Sequence, residues 1–522
     1  MEKKSYANLF SYVLIGIFAI WLFVSAMGWT PVPMGESDNY MLTTVSLQYR
    51  GDLAIQDSDL EHAVADFPEF ADYLTTMYHS PGGLSSFTNK AGGQYSWYFG
   101  TYSALCIPAK VALGLLGLPQ IYAFAVTNCL LYLLALWVTA RYLRASQGIK
   151  LILLLLLMAN PAVFYVVWQS AEVCVFAFTV MALVFFTRRS YPLAGLLISL
   201  AGTLNSTVMI VGVFFILCFF ADLLREVPVH RWPGAALRAW PSVLKVGVSF
   251  VPCLVPFIFY YINCGVFNLQ VGYGFSQTGG LWQRFRAYLT DWNFGVMPYF
   301  FVAFCLSAFL LVWCIIRRQY RCLGYFLSFL GVVAAYSLMV NINCAMSGIA
   351  RYNAWAAPIL LFGAAMTVDG AAFPTKLKRW AGGLLAAGAI CTAALVGAYG
   401  PMFAHKTSDI QLTPVAQAVL NYCPQFYWSM PSTFNCRVNH VPGGYQYEMP
   451  LVYANEAGEV KKALVSSDSW QIFKERVDQM GNEALWARLE RQVDQAKQGQ
   501  RIYINVLYGQ RLLLKAEAAE EG

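Results

Sequence analysis

Apolar runs long enough to cross a bilayer recur along this chain, and they limit what it can fold into more than any other feature. A span needs roughly 20 mostly apolar residues to cover about 30 Å of hydrocarbon. Leu9–Gly28, Ile121–Leu143, Leu151–Trp168, Val173–Thr187, Val208–Leu224, Val246–Ile262, Val296–Ile316, Cys322–Val340, Ala354–Val368 and Ala381–Ala398 meet or approach that length. The shorter Tyr191–Leu204 reads as the first leg of a hairpin closed near Asn205–Ser206. Composition agrees: 58% of residues are hydrophobic and only 12% charged, which one large soluble core does not explain. The expected fold is a polytopic α-helical membrane protein of about eleven transmembrane helices. The run after Met1-Glu-Lys-Lys is long for a signal-peptide core and ends without a small-x-small cleavage site. It reads as a retained first span.

Basic residues set the expected orientation, because Lys and Arg concentrate in cytoplasmic loops. With Lys3 and Lys4 inside, alternate connections should be basic. Arg141/Arg144/Lys150, Arg188/Arg189, Arg225/Arg231/Arg238/Lys245, Arg317/Arg318/Arg321 and Lys376/Lys378/Arg379 fall in that phase. Arg284 and Arg286, in an outer loop, are the exception. The expected topology is N-terminus in and C-terminus out, in the plasma (inner) membrane. The net charge of +7 is modest and so placed that it gives no nucleic-acid signal. The thirteen cysteines are scattered, with no C-x-x-C pair, which argues against a metal cluster. Cys423 and Cys436 are placed either to form a disulfide or to remain free thiols.

Two segments are expected outside the membrane. The first outer loop, residues 29–120, is too long to be a mere connector. Between Trp29 and Ser96 it is acidic, with Glu36, Asp38, Asp52, Asp57, Asp59, Glu61, Asp66, Glu69 and Asp72. Glu36–Gly51 and Leu60–Met77 read as helices. Tyr95–Leu118, broken by Gly100, Pro108, Gly114 and Gly117, reads as an interfacial or re-entrant segment. Beyond the transmembrane module at 1–398, residues 399–522 carry strand-like runs (Tyr445–Tyr453, Arg501–Tyr508) around a helical stretch, Ser469–Gln498. This predicts a small extracytoplasmic α+β domain.

The acids after the first span are the leading candidates for chemistry. Glu36 and Asp38, in Pro33-Met-Gly-Glu-Ser-Asp-Asn-Tyr40, stand where lipid headgroups and a membrane-bound substrate would meet. Two carboxylates at i, i+2 can converge on one cation or one hydroxyl, and a carboxylate can act as general base. An acid opening a helix is equally a partner for the helix dipole. The set Asp57-Ser-Asp59-Leu-Glu61-His62 suits either a divalent cation or a helix cap, with Asp59 fitting the cap better. Arg351, in Asn343-Cys-Ala-Met-Ser-Gly-Ile-Ala-Arg-Tyr352, needs a partner at that depth, either a phosphate or an outer-loop acid. Asp291 and Asn293 in Leu289-Thr-Asp-Trp-Asn-Phe-Gly-Val-Met-Pro-Tyr299 mix amide, acid and aromatic groups, as sugar sites do. Glu172, at the outer turn before Val173, faces the same compartment.

Taken in order, Gly35-Glu-Ser-Asp-Asn-Tyr-Met-Leu, Ser46-Leu-Gln-Tyr-Arg-Gly-Asp-Leu53, Tyr95-Ser-Trp-Tyr-Phe-Gly-Thr-Tyr, Asp291-Trp-Asn-Phe-Gly-Val-Met-Pro-Tyr299 and Gly348-Ile-Ala-Arg-Tyr352 form a pattern. It resembles the bacterial members of the GT-C superfamily, polytopic glycosyltransferases that use polyprenyl-phosphate sugars at the outer membrane face. The resemblance covers about residues 10 to 370 and lies in the order of short motifs. It implies inverting transfer of a hexose or pentose from the lipid donor to an acceptor hydroxyl on a glycan, lipid or protein. Glu36 falls on the family's leading acid and Arg351 on its outer-loop arginine, which would hold the leaving phosphate. Ser37 separates two acids that the family usually has adjacent, so the base is Glu36 or Asp38. The same two residues are the expected ligands of a divalent metal, Mg or Mn, if one takes part. Tyr40, Asp59, Glu172, Asp291, Asn293, Arg351 and Tyr352 complete the expected substrate-binding set.

Other classes fit less well. A transporter would show ionisable or helix-breaking positions at mid-bilayer, whereas these spans are almost free of charge. A polysaccharide polymerase or ligase usually relies on arginine-rich outer loops, and this one is acidic. A non-catalytic scaffold would leave the acids replaceable.

Overall fold

The structure, a computed structural model, describes residues 2–33, 35–80, 86–89, 92–225, 227–272, 278–339, 348–400, 411–440, 448–477, 501–506 and 512–516. It is mostly helical and divides into two units. The first comprises Met1–Ser276, Tyr299–Asn341 and Arg351–Met402, and the second Gln277–Pro298, Ile342–Ala350 and Phe403–Gly522. The second unit thus combines the C-terminal segment with two short stretches from earlier in the chain.

Among the described residues, five helices of the first unit are long and apolar enough to cross a membrane: Leu9–Met27, Gln120–Tyr142, Gln147–Tyr165, Ser206–Leu224 and Thr375–Tyr399. The pair Trp240–Ser249 and Val251–Cys264, bent by 43°, makes a sixth if it is one span. On the helix Glu2–Met27, Leu9, Val13, Ile17, Ile20 and Val24 are exposed while Leu22 and Ala26 are buried. A stripe of aliphatic side chains that long is not left to water by a folded protein. The chain is membrane-embedded.

Several expected spans are interrupted. The run Leu151–Trp168 is helical only as Gln147–Met158, followed by a 3-10 segment at Pro161–Tyr165. Asn160 starts that segment, its side chain accepting from the Ala162 N–H at 2.8 Å, and Pro161 has no N–H to continue the helix. The bend at residue 250 precedes Pro252 in the same way. The helix Glu172–Thr187 is buried along almost its whole length, between helices Ala123–Tyr142, Tyr191–Leu204 and Arg351–Asp369. That explains why its sequence is apolar on every side. Its N-terminal residue is Glu172.

In the first loop, Ser37–Arg50 is helical and ends at Gly51, whose φ of 68° is the left-handed conformation that glycine accepts without strain. The single helix expected over Leu60–Met77 is instead two, Asp57–Asp66 and Ala71–His79. Pro68 separates them, since it cannot donate into the ladder. Tyr95–Leu118 resolves into a strand, Gln94–Ser96, within a small antiparallel sheet, and the helix Thr101–Leu115. Lys110 on that helix is fully buried, paired with Asp66, 2.7 Å from Gln48, and between the ring faces of Tyr49 and Phe67. The first loop is therefore bound to this helix by a buried charge.

The second unit holds an antiparallel sheet of Leu451–Ala454, Val460–Ser466, Arg501–Val506 and Leu512–Ala516 in sequence order. Ala416, Leu420, Tyr427, Phe434, Leu451, Leu464 and Tyr503 form its core. The strand expected over Tyr445–Tyr453 is described only as Leu451–Ala454, and that over Arg501–Tyr508 as Arg501–Val506. Of the helical stretch Ser469–Gln498, Trp470–Val477 is helical, and the remainder lies outside the described residues. Cys423 and Cys436 form no disulfide with each other. Arg286, off-phase among the basic residues, lies over the Trp428 ring at 4.1 Å within this unit.

Candidate functional site

The first-loop motif begins with a tight turn. Gly35 has φ 55°, and Glu36 follows at the N-cap position of the helix Ser37–Arg50 without making a side-chain cap bond. Its carboxylate instead meets Arg351, the first residue of the helix Arg351–Asp369. Arg351 Nη1 donates to Glu36 Oε2 at 2.7 Å and Nη2 to Oε1 at 3.2 Å, a two-pronged contact that fixes both groups. Tyr98 donates its phenol to Glu36 Oε1 at 2.8 Å. Burial raises the Glu36 carboxyl, but the Arg351 charge and the bonds from Arg351 and Tyr98 outweigh it and hold the group below its ordinary range. A cation at a helix N-terminus opposes the helix dipole. Here acids offset it.

The second of those acids is Glu172, also at a helix N-terminus but with the favourable sign. Its Oε1 lies 3.9 Å from Arg351 Nε, and its Oε2 accepts the Trp355 indole N–H at 3.1 Å. Arg351 and Trp355 stand four apart on one helix, so both reach the same carboxylate. Burial is the main influence on Glu172, followed by the opposing Arg351 charge, and the carboxyl is pushed up to about 7.

Aromatic rings surround the cluster. Tyr40 stacks on Tyr98 (5.2 Å, 27°) and meets Tyr102 edge-on (5.3 Å, 90°). Tyr352 lies 5.8 Å from Trp355 and 5.5 Å from Tyr336, which hydrogen-bonds Asn353. Beside them is a cavity of about 280 Å³, bordered by Glu172, Tyr40, Tyr98, Tyr260, Tyr336 and Tyr352 and by the turn at residues 203–207. Apolar and aromatic walls with a few polar groups are what small-molecule sites present.

The structure therefore brings together Glu36, Tyr40, Glu172, Arg351 and Tyr352, with Glu36 and Arg351 315 residues apart. Asp38 does not border the cavity. It is fully buried, with Asn39 Nδ2 3.3 Å from its Oδ2. Burial and the neighbouring Asp38 carboxylate raise the Tyr73 phenol. Among the described residues no group of three or more His, Cys, Asp or Glu side chains is arranged to hold a metal ion.

Asp59 closes a capping box. It accepts from the Gln56 N–H at 2.8 Å and from Arg50 at 2.9 and 2.7 Å, with no exposure. Asp291 and Asn293 belong to the second unit. Asp291 is paired twice with Arg437, and Asn293 bridges the Gln411 carbonyl and the Thr413 N–H. The residues that sequence reasoning missed are Tyr98, Trp355 and Tyr336. Tyr98 stood inside a motif already singled out, and Trp355 at i+4 from Arg351 was a readable signal. Tyr336 had none.

No family model, curated protein or solved structure matches this chain.

Proposed function

We propose that this protein is a glycosyltransferase of GT-C type. It would move a monosaccharide from a polyprenyl-phosphate donor to an acceptor hydroxyl at the outer face of the plasma membrane. The observation that supports this most is the Glu36–Arg351–Glu172 cluster beside an aromatic-walled cavity. The proposal keeps eleven spans with the N-terminus inside. Besides the six above, Val173–Thr187, Tyr191–Leu204, Phe301–Ile316, Tyr320–Tyr336 and Ala354–Val368 would supply the remainder, leaving Glu172 and Arg351 just outside them.

In this reading the acceptor hydroxyl loses its proton to a carboxylate of the first unit and attacks the anomeric carbon from the side opposite the phosphate. The polyprenyl phosphate leaves with the bonding pair. Arg351, its fork fixed by Glu36, places positive charge where the phosphate oxygen becomes negative, so little reorganisation accompanies the displacement. Tyr40, Tyr98 and Tyr352 offer ring faces to the sugar. No step is assigned to a metal ion.

Binding of polyprenyl phosphate, the product, tests the reading on purified protein in lipid. Saturable binding by the wild type and its loss in Arg351→Ala are expected. Equal binding by both would overturn the assignment of Arg351.

A further inference from the structure

Three acids compete for the role of base, and their surroundings separate them. Glu36 has both oxygens engaged, one by Arg351 and one by Arg351 and Tyr98 together. A carboxylate so held is a poor proton acceptor, because protonation would break a two-pronged ion pair. Asp38 is fully buried and does not border the cavity. Glu172 does border it, at the N-terminus of the helix Glu172–Thr187. The nearest cation to its Oε1 is Arg351 Nε at 3.9 Å, beyond hydrogen-bond distance, and Trp355 orients its other oxygen.

We infer that Glu172 is the catalytic base of the transfer and that Glu36 is a positioning residue for Arg351. The inference rests on the transferase reading above. The acceptor O–H bond breaks and its proton passes to Glu172 Oε1. The acceptor oxygen bonds to the anomeric carbon as the bond from that carbon to the phosphate oxygen breaks, and the electron pair leaves with the phosphate. Glu172 then returns its proton to water. No oxidation state changes.

The groups facing Glu172 are Arg351 and Tyr352 from one helix, Glu36 and Tyr40 from the first loop, and Tyr98 beyond them. Of these carboxyls, Glu36 lies below its ordinary range and Glu172 near 7. A general base works best with a pKa near the operating pH. The carboxylate form of Glu172 is the active one, so activity rises with pH through about 7.

The test is the pH–rate profile of transfer by the intact protein in lipid vesicles, with the donor sugar that the wild type accepts. The wild type should show a rising limb centred near pH 7. Glu172→Gln should lower kcat by about 10²- to 10⁴-fold, leave polyprenyl-phosphate binding in place and remove that limb. Glu36→Gln should also slow transfer but retain the limb, as expected of a residue acting through Arg351. A wild-type profile flat from about pH 5.5 to 8.5 would overturn the inference whether or not any variant folds. So would a Glu172→Gln variant within a few fold of wild-type kcat. A wild type that transfers no sugar at all would instead sink the transferase reading, and the base assignment with it.

Discussion

The Glu36–Arg351 pair of the first unit and the Asp291–Arg437 pair of the second are both two-pronged arginine–carboxylate contacts, and both acids looked alike in sequence. Asp291 is unexposed and Arg437 only 1% exposed. Asp291 Oδ1 also accepts from the Asn293 and Phe294 N–H groups at 2.8 and 3.2 Å, while Arg437 bonds the Tyr427 phenol and lies 5.3 Å from the Phe294 ring. Every contact closes within the unit. Glu36 is 21% exposed, and its arginine has a second acid, Glu172, which borders a cavity, while Arg437 borders a cavity of its own. The two pairs differ in the exposure of the acid and in the second carboxylate that stands beside Arg351. A shared bonding pattern says little about role until the surroundings are known.

The largest expected effect that would break this comparison is on the Asp291–Arg437 pair. Arg437→Ala leaves the Asp291 charge buried and should cost about 3–5 kcal/mol, read as thermal or denaturant unfolding of the second unit. A loss below about 1 kcal/mol would mean that the pair is not structural. Arg351→Ala should cost less, about 1–3 kcal/mol, because Glu36 can reach water and Glu172 can take up a proton. Equal losses in the two variants would erase the distinction.

Asp59→Ala removes the first-loop capping box and should cost about 1–2 kcal/mol, measurable as earlier melting. The smallest effect is a pH dependence. The folded-state pKa of Glu36 is depressed below its ordinary 4.5, so its contribution to stability is present above that value and is lost as pH falls through the folded-state value. The stability gap between wild type and Glu36→Gln should therefore be constant near neutrality and close on acidification below about 4.5. A gap that widened on acidification would contradict the ion pair.

Local pattern carried much of the architecture. Apolar runs marked the helices Glu2–Met27, Ala123–Tyr142 and Thr375–Tyr399, and the motif at residue 36 marked the start of Ser37–Arg50. Prolines mark where the elements depart from single helices: Pro68 divides the first-loop helix, and Pro161 turns the end of the span Gln147–Tyr165 into a 3-10 segment. The site was legible in its residue types but not in its pairings. Glu36 and Arg351 are 315 residues apart, and nothing in either neighbourhood distinguishes a phosphate-binding arginine from one paired to an acid. Asp59, Asp291 and Asn293 each have partners in their own surroundings, and a carboxylate or amide so paired reads in sequence like one that is not. The eleven-span count exceeds the described helices that pass on length and hydropathy, and Glu172–Thr187, Tyr191–Leu204, Phe301–Ile316 and Tyr320–Tyr336 are apolar but shorter, within 10–17 residues.

The most direct measurement of the central claim is sugar transfer by purified protein in lipid. It would use a panel of labelled polyprenyl-phosphate monosaccharides with a membrane extract as acceptor, comparing the wild type with Arg351→Ala. Transfer or donor hydrolysis by the wild type, falling to background in Arg351→Ala, is the predicted result. Silence of folded wild-type protein across the whole panel would contradict the account and leave a polymerase, ligase or non-catalytic role to be tested in its place.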